Sequence, residues 1–255
     1  MEFTQHQILL FFLILVRMTA MFMSAPVFSL AGLPVLYKVG LGGLLALLIY
    51  PLVDATAPEL PLDWLLVLVL IFKEIVTGVI IGFAIGLLFA GIQLAGEYIG
   101  LDMGFAMAQE VDPTFRQPIS VIARLENNLA MLLFLLLEGH HYLIEAVVYS
   151  YRSIPVGGWN LPEPVLQRLL RLSADVFIVG LKIAAPAVVA LFLTSVAMGI
   201  IARAVPQMNI FFVGIPLRVF VGFISIIFGM PLFVYVFGKL LNVFEQNVSL
   251  ILKAI

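Results

Sequence analysis

The sequence predicts an all-α integral membrane protein built from about six long hydrophobic helices, and three observations carry that expectation. Of 255 residues, 63% are hydrophobic and only 11% are charged, and the mean hydropathy is +1.18. A soluble domain is about half apolar and about a quarter charged. Several apolar runs reach the roughly 20 residues that a helix needs to cross a bilayer. Short Pro- and Gly-rich breaks separate these runs, and no polar stretch is long enough to bury a core of its own. The net charge of -2 argues against nucleic-acid binding through a basic surface. The chain has no cysteine, which excludes disulfides, thiolate metal sites and cysteine nucleophiles.

Apolar periodicity places the helices at about 7–29, 38–53, 64–95, 123–150, 172–202 and 210–240. The first does not read as a cleavable signal, because Glu2 stands where a basic region is needed and Arg17 interrupts the run Ile8 to Met23. The second is short and begins near Pro34, and the third is long enough to bend or continue past the membrane. The breaks fall at Gly32-Leu33-Pro34, at Pro51 to Pro61, at a broken polar segment from Gly104 to Pro118, at Pro155 to Gly158 and at Pro206. Residues 164–171 read as a short amphipathic connector at the membrane surface. Pro164 suits its first turn, Leu166, Leu169 and Leu170 face lipid or protein, and Arg168 and Arg171 face phosphates. With a cytoplasmic N-terminus and six crossings, Arg152, Arg168, Arg171, Lys239 and Lys253 oppose Lys38, Arg116, Arg124 and Arg203. So even a split gives no clear orientation, and it suggests that some apolar segments do not cross in the ordinary way.

Glycines recur every four residues at Gly78, Gly82 and Gly86 and again at Gly96, Gly100 and Gly104, with Gly91 between the sets. Such a stripe lets another backbone approach closely, either within the chain or from another chain. Arg17, Lys73, Glu74, Glu97 and Lys182 lie inside apolar runs. Each must pair or face a cavity, and structural pairing between helices is preferred to a proton relay. Lys73 and Glu74 are neighbours that point in different directions on a helix, so each needs its own partner. Glu138, His141 and Glu145 stand at i, i+3 and i+7 with His140 beside them, a spacing that could offer a metal two carboxylates and an imidazole. A polar helix face at the bilayer boundary is the preferred reading, since the only other histidine is His6. No metal or cofactor is expected. No Gly-x-Ser-x-Gly elbow and no Walker sequence is present, so the chain is expected not to be an enzyme. In the broken segment, Met103, Phe105 and Met107 alternate with Gly104, Ala106 and Ala108, and Asp112-Pro113 follows. Flexible apolar side chains of this kind can seal a narrow pore by dewetting, or can anchor a loop in lipid, and the residues alone leave both open.

Four stretches carry a family resemblance. They are Lys73-Glu74 with the Gly78/Gly82/Gly86 stripe; Ala95-Gly96-Glu97 leading to Gly104-Phe105 and Asp112-Pro113; Phe134 to His141; and Pro206 to Phe211 with Gly214-Ile215-Pro216-Leu217. In these residues, spread over most of its length, the chain resembles the FliR/SctT family of type III secretion export-gate subunits. The resemblance implies a non-enzymatic subunit of the flagellar export gate. It would form part of the channel through which unfolded flagellar proteins cross the bacterial inner membrane at the basal body. It also implies a FliP-like part at 1–160 that includes a plug-type loop at 104–118, a connector at 161–171 and a FliQ-like hairpin with a tail at 172–255. FliP-like and FliQ-like subunits would complete a helical ring, joined by an FlhB-like switch protein and an FlhA-like export protein, in contact with membrane lipid. Channel closure would fall to Met103, Gly104, Phe105, Ala106, Met107, Asp112 and Pro113. Helix packing would fall to Gly78, Gly82, Gly86, Gly96 and Gly100, and assembly to the buried charges Arg17, Lys73, Glu74, Glu97 and Lys182. Two other readings are an injectisome export gate and a secondary transporter for a small solute that uses Glu97, Lys73 and Lys182. A third is a membrane enzyme built on the Glu138/His141/Glu145 face.

Overall fold

The computed structural model describes residues 5–28, 34–54, 63–105, 120–158, 163–207 and 209–254. Within them the elements are helices: α1 (Gln5–Ser24), α2 (Val35–Asp54), α3 (Trp64–Asp102), α4 (Val121–Leu136), α5 (Gly139–Ser153), α6 (Glu163–Ala204) and α7 (Ile210–Ala254). Five of these, α1, α2, α3, α6 and α7, are long and apolar enough to cross a membrane. The α4–α5 pair meets the same test as a sixth span, bent by 67° at its break. The all-α membrane class expected from composition is therefore the one observed.

Two elements differ from expectation. The predicted span 123–150 is not one helix. Leu137 closes α4 by donating to the Leu133 carbonyl at 2.8 Å, and Glu138 then takes a left-handed conformation with φ 58° before α5 begins. A non-glycine residue in that region ends a helix, because the next turn cannot stack on the last. The connector 164–171 is not a separate element either. From Glu163 the helix runs on to Ala204, starting with a Gln167 to Glu163 side-chain bond of 3.1 Å. Its first turns dock one side on protein, with Val165 fully buried beside Ile80 and Val76, Leu169 and Leu172 packed against them, while Leu166 and Leu170 stay exposed. Pro186 inside α6, and Pro216 and Pro231 inside α7, leave the helices continuous.

The chain divides into two compact units. The first takes α1, α2, α3 up to Leu88, α5, the start of α6 and α7 from Leu241. In it α1 turns Leu10, Leu13, Ile14, Arg17, Met18 and Met21 inward at helical spacing, and Phe22 meets Phe28 edge-on at 4.5 Å. The second takes the remainder of α3, then α4, most of α6, and α7 up to Leu240. In that unit Phe89 packs edge-on against Phe134 at 5.8 Å and against Phe237 at 6.5 Å. Burial is uneven among the helices. Half of the most apolar stretch of α3 is buried (50%), against 17% for α2 and 11% for α7. The outward faces of α2 and α7 carry Leu36, Phe212 and Phe228, each 81% exposed.

Candidate site: a charged clasp and a pinned loop

In the first unit the charges form one connected clasp. Arg17 of α1 is wholly buried, and its Nε meets Glu74 Oε2 of α3 at 2.5 Å. One of its terminal nitrogens donates to Ser150 Oγ at 2.9 Å, and both donate to the Ile154 carbonyl at 3.3 Å. The guanidinium lies 4.0 Å from the centre of the Tyr151 ring, whose hydroxyl donates to the Ile14 carbonyl at 3.3 Å. A planar fork of donors suits this several-sided arrangement in a way that a lysine would not. Glu74 spends its second oxygen on the Gly157 N–H at 3.0 Å. Lys73 Nζ donates to the carbonyl of that same glycine, also at 3.0 Å. Glu74 and Lys73 thus have different principal partners, the Arg17 guanidinium and the Gly157 carbonyl. Gly157 also links the two, because its N–H and C=O point in opposite directions, and it has the φ of 77° that the turn demands.

The glycine stripe brings α1 onto α3. A Cβ at Gly78 would strike the Arg17 carbonyl oxygen and stand 2.9 Å from Ala20 Cβ, and one at Gly82 would stand 2.8 Å from the Met21 oxygen. The demand ends there: at Gly86 the nearest atoms belong to Pro26 at 3.9 Å, an ordinary contact. In the second unit the stripe resumes, with Gly96 against the backbone of Ala123 and Gly100 against Ser120.

That second contact holds the broken segment. Its incoming stem is the end of α3, where Met103 donates to Ile99 at 2.9 Å and Gly104 to Leu101 at 3.0 Å. Gly104 has φ +90° and no atoms within 4 Å of a would-be Cβ, so glycine is needed there for its conformation rather than for space. The outgoing stem is Ser120, which caps α4 by accepting the Ile122 N–H and gives its own N–H to Glu97 Oε1 at 3.0 Å. Both stems are therefore fastened to the last turns of α3.

The residues expected to act in channel closure fall in different places. Met103 is fully buried, and its side chain fills the space that a Cβ at Gly222 would need, 2.6 Å away. Phe105 is half-buried. Ala106, Met107, Asp112 and Pro113 lie outside the described residues. Of the charges expected to be buried, Arg17 and Glu74 are, Lys73 and Glu97 are half-buried, and Lys182 is exposed on α6. A lysine stem can lie along an apolar helix while its head reaches outward, so an apolar sequence context does not by itself bury the charge. The metal face that the Glu138/His141/Glu145 spacing could have offered does not assemble among the described residues. The break at Glu138 removes it from the helical register, leaving Glu138 and His141 in an exposed contact of 3.4 Å. Among the described residues no three His, Asp or Glu side chains gather as a metal site.

The family model described as bacterial export proteins, family 1, matches residues 8–243 of this chain. Flagellar biosynthetic protein FliR of Bacillus subtilis (strain 168) is 32% identical over 242 residues, covering 94% of this chain and 92% of that protein. The chain belongs to the FliR family of bacterial export proteins. FliR of Escherichia coli (strain K12) is likewise 32% identical over 244 residues, covering 94% and 93%. FliR of Pectobacterium carotovorum subsp. carotovorum is 36% identical over 232 residues, covering 87% and 84%. The likeness to FliR proteins therefore runs through both units and both stems of the broken segment.

Several residues of the clasp and the stems escaped the sequence reading. Ser150, Tyr151 and Ile154 are unremarkable in an apolar helix end, and only the fold brings them to Arg17. Gly157 was visible as a breaker, and Ser120 had a readable signal as a serine just before an apolar helical run.

Proposed function

We propose that the chain is a non-enzymatic subunit of the flagellar type III export gate, set in the bacterial inner membrane. It forms part of the channel for unfolded flagellar proteins, and segment 104–118 helps to close that channel. The observation that carries this reading is the double anchorage of the segment, through Gly104 and through the Glu97–Ser120 bond, to the end of one helix. An irregular backbone at membrane depth is tolerated only where protein covers it or where it lines a wet passage. Fixed stems beside the apolar side chains of Phe105 and Met107, the latter unbranched and adaptable, suit a constriction that seals when idle and yields when a chain passes.

Membership of a larger ring is supported by the long outer helices. At about 1.5 Å per residue, the 42 residues of α6 and the 45 of α7 run roughly twice the ~30 Å of a hydrocarbon core. Helices of that length with faces this apolar need cover from other protein above the bilayer. FliP-like and FliQ-like subunits would supply it, with FlhB-like and FlhA-like proteins joining the assembly. The flagellar names of the relatives favour a flagellar rather than an injectisome gate. The solute-transporter reading loses ground because Lys73 is engaged with Gly157 and Glu97 with Ser120, both holding the chain itself.

The test is idle conductance. In assembled gates without substrate, the Phe105→Gly/Met107→Gly double variant is expected to leak small ions while wild type stays closed. Wild-type tightness in the variant would remove the closure role.

A further inference from the structure

Glu126, on the second turn of α4, is 5% exposed, and its Oε2 has no hydrogen-bond partner among the described residues. It shares its buried face with Ile122, Ala130 and Phe134. The carboxyl lines a cavity of ≈ 30 Å³ within the second unit, enough for one or two water molecules. Every other wall is non-ionisable: Ile99 comes from α3, Ile183 and Ala187 from α6, and Met230 and Phe233 from α7. One further polar side chain reaches the lining. Ser225 already donates its hydroxyl proton to the Val221 carbonyl at 2.8 Å, so toward the cavity its oxygen can only accept. On its own helix, Arg124 is exposed and does not line the cavity. Glu97 on α3 is engaged with Ser120, and Lys182 on α6 is exposed.

Two acceptor oxygens therefore line one small, mostly apolar chamber, to which no cationic side chain among the described residues contributes. A bare carboxylate there carries a large solvation cost with nothing to offset it. The chamber offers too few oxygen ligands for Ca²⁺ or Mg²⁺, which take about six or more, and no thiolate or imidazole for zinc. What fits is a hydrogen: bound to the carboxyl, it cancels the charge and turns an acceptor into a donor. The donor can then meet a chamber water or the Ser225 oxygen.

We propose that Glu126 is a proton-binding site, exchanging its proton through water held in the Ile99/Ser225/Met230 cavity. Proton uptake is written simply as carboxylate plus H⁺ giving the carboxylic acid, the proton coming from and returning to water. Glu126 lies six residues past Ser120, about 9 Å along the helix axis. Proton loss would place a charge under the start of α4, where the broken segment is fastened.

The test is infrared spectroscopy of the full-length chain in detergent, alone and in complex with its co-purified subunits. At neutral pH, wild type should show a protonated-carboxyl stretch that shifts on transfer to heavy water. Glu126→Gln, which keeps the shape and a neutral donor, should lack it. Gly229→Val fills the cavity from a glycine that has nothing within 4 Å of a would-be Cβ, and it should keep the band but lose the prompt deuterium shift. If wild type and Glu126→Gln have the same spectrum, the site is ionised and the proposal fails. A band present in the isolated chain but lost in the complex would also overturn it, in favour of an ion pair with a partner's basic residue.

Discussion

Glu74 and Glu126 are both buried carboxylates on apolar helices, yet their surroundings are opposite. Glu74 gives one oxygen to the Arg17 guanidinium and the other to the Gly157 N–H, and the arginine is itself bound to Ser150 and the Ile154 carbonyl. Glu126 has an oxygen without a partner and faces a cavity. A saturated network of this kind fixes three segments of the first unit in one arrangement. A carboxyl with a partnerless oxygen facing a cavity fixes no such arrangement through that oxygen, which is the contrast on which the proton-exchange proposal for Glu126 rests.

The largest expected effect comes from opening the clasp. Arg17→Met leaves Glu74 buried without its cation and should destabilise the purified chain by about 3–5 kcal/mol in thermal unfolding. Arg17→Met combined with Glu74→Met should recover most of that loss, because two apolar residues remove the stranded charge as well as the pair. A double variant no better than the single one would break the contrast between a network and a lone group.

Next is the close approach of α1 to α3. Gly78→Leu must push the Arg17 backbone away and should cost about 1–3 kcal/mol or more, whereas Gly86→Ala should be nearly silent in the same melt. Equal losses at both positions would show that the stripe acts through something other than the α1 backbone. A smaller change is expected at the loop stem. Glu97→Gln keeps an acceptor for the Ser120 N–H but loses the charge, worth about 1 kcal/mol, and should be read as faster hydrogen exchange at Ser120. Smallest of all is Glu126→Leu, expected within about 1 kcal/mol of wild type or slightly more stable, where Glu74→Leu, stranding Arg17, should be several kcal/mol worse. A large loss at Glu126→Leu would mean that this carboxyl has a structural partner after all.

The helices were legible because burial in a membrane protein is written in length and hydropathy, and Arg17 and Glu74 stood out by interrupting apolar runs. Glu126 did not stand out. It sits in Arg124-Leu125-Glu126-Asn127-Asn128, which reads as a polar helix end. The missed signal was its period, four residues from Ile122 and from Ala130 on the inward face. The 67° break at Glu138 was hidden for a different reason, since a left-handed glutamate has no composition marker. Gly157 as the shared anchor of Lys73 and Glu74 depends on contacts more than 80 residues apart in sequence, which no local pattern encodes.

The most direct test of the central claim is the native mass of the tagged chain in mild detergent, with and without co-expressed FliP-like and FliQ-like proteins. The account predicts one large complex holding a single copy of this chain, and an unstable chain when the others are absent. A stable, monodisperse, partner-free chain would contradict it, because the exposed apolar faces of α2 and α7 would then need nothing beyond lipid.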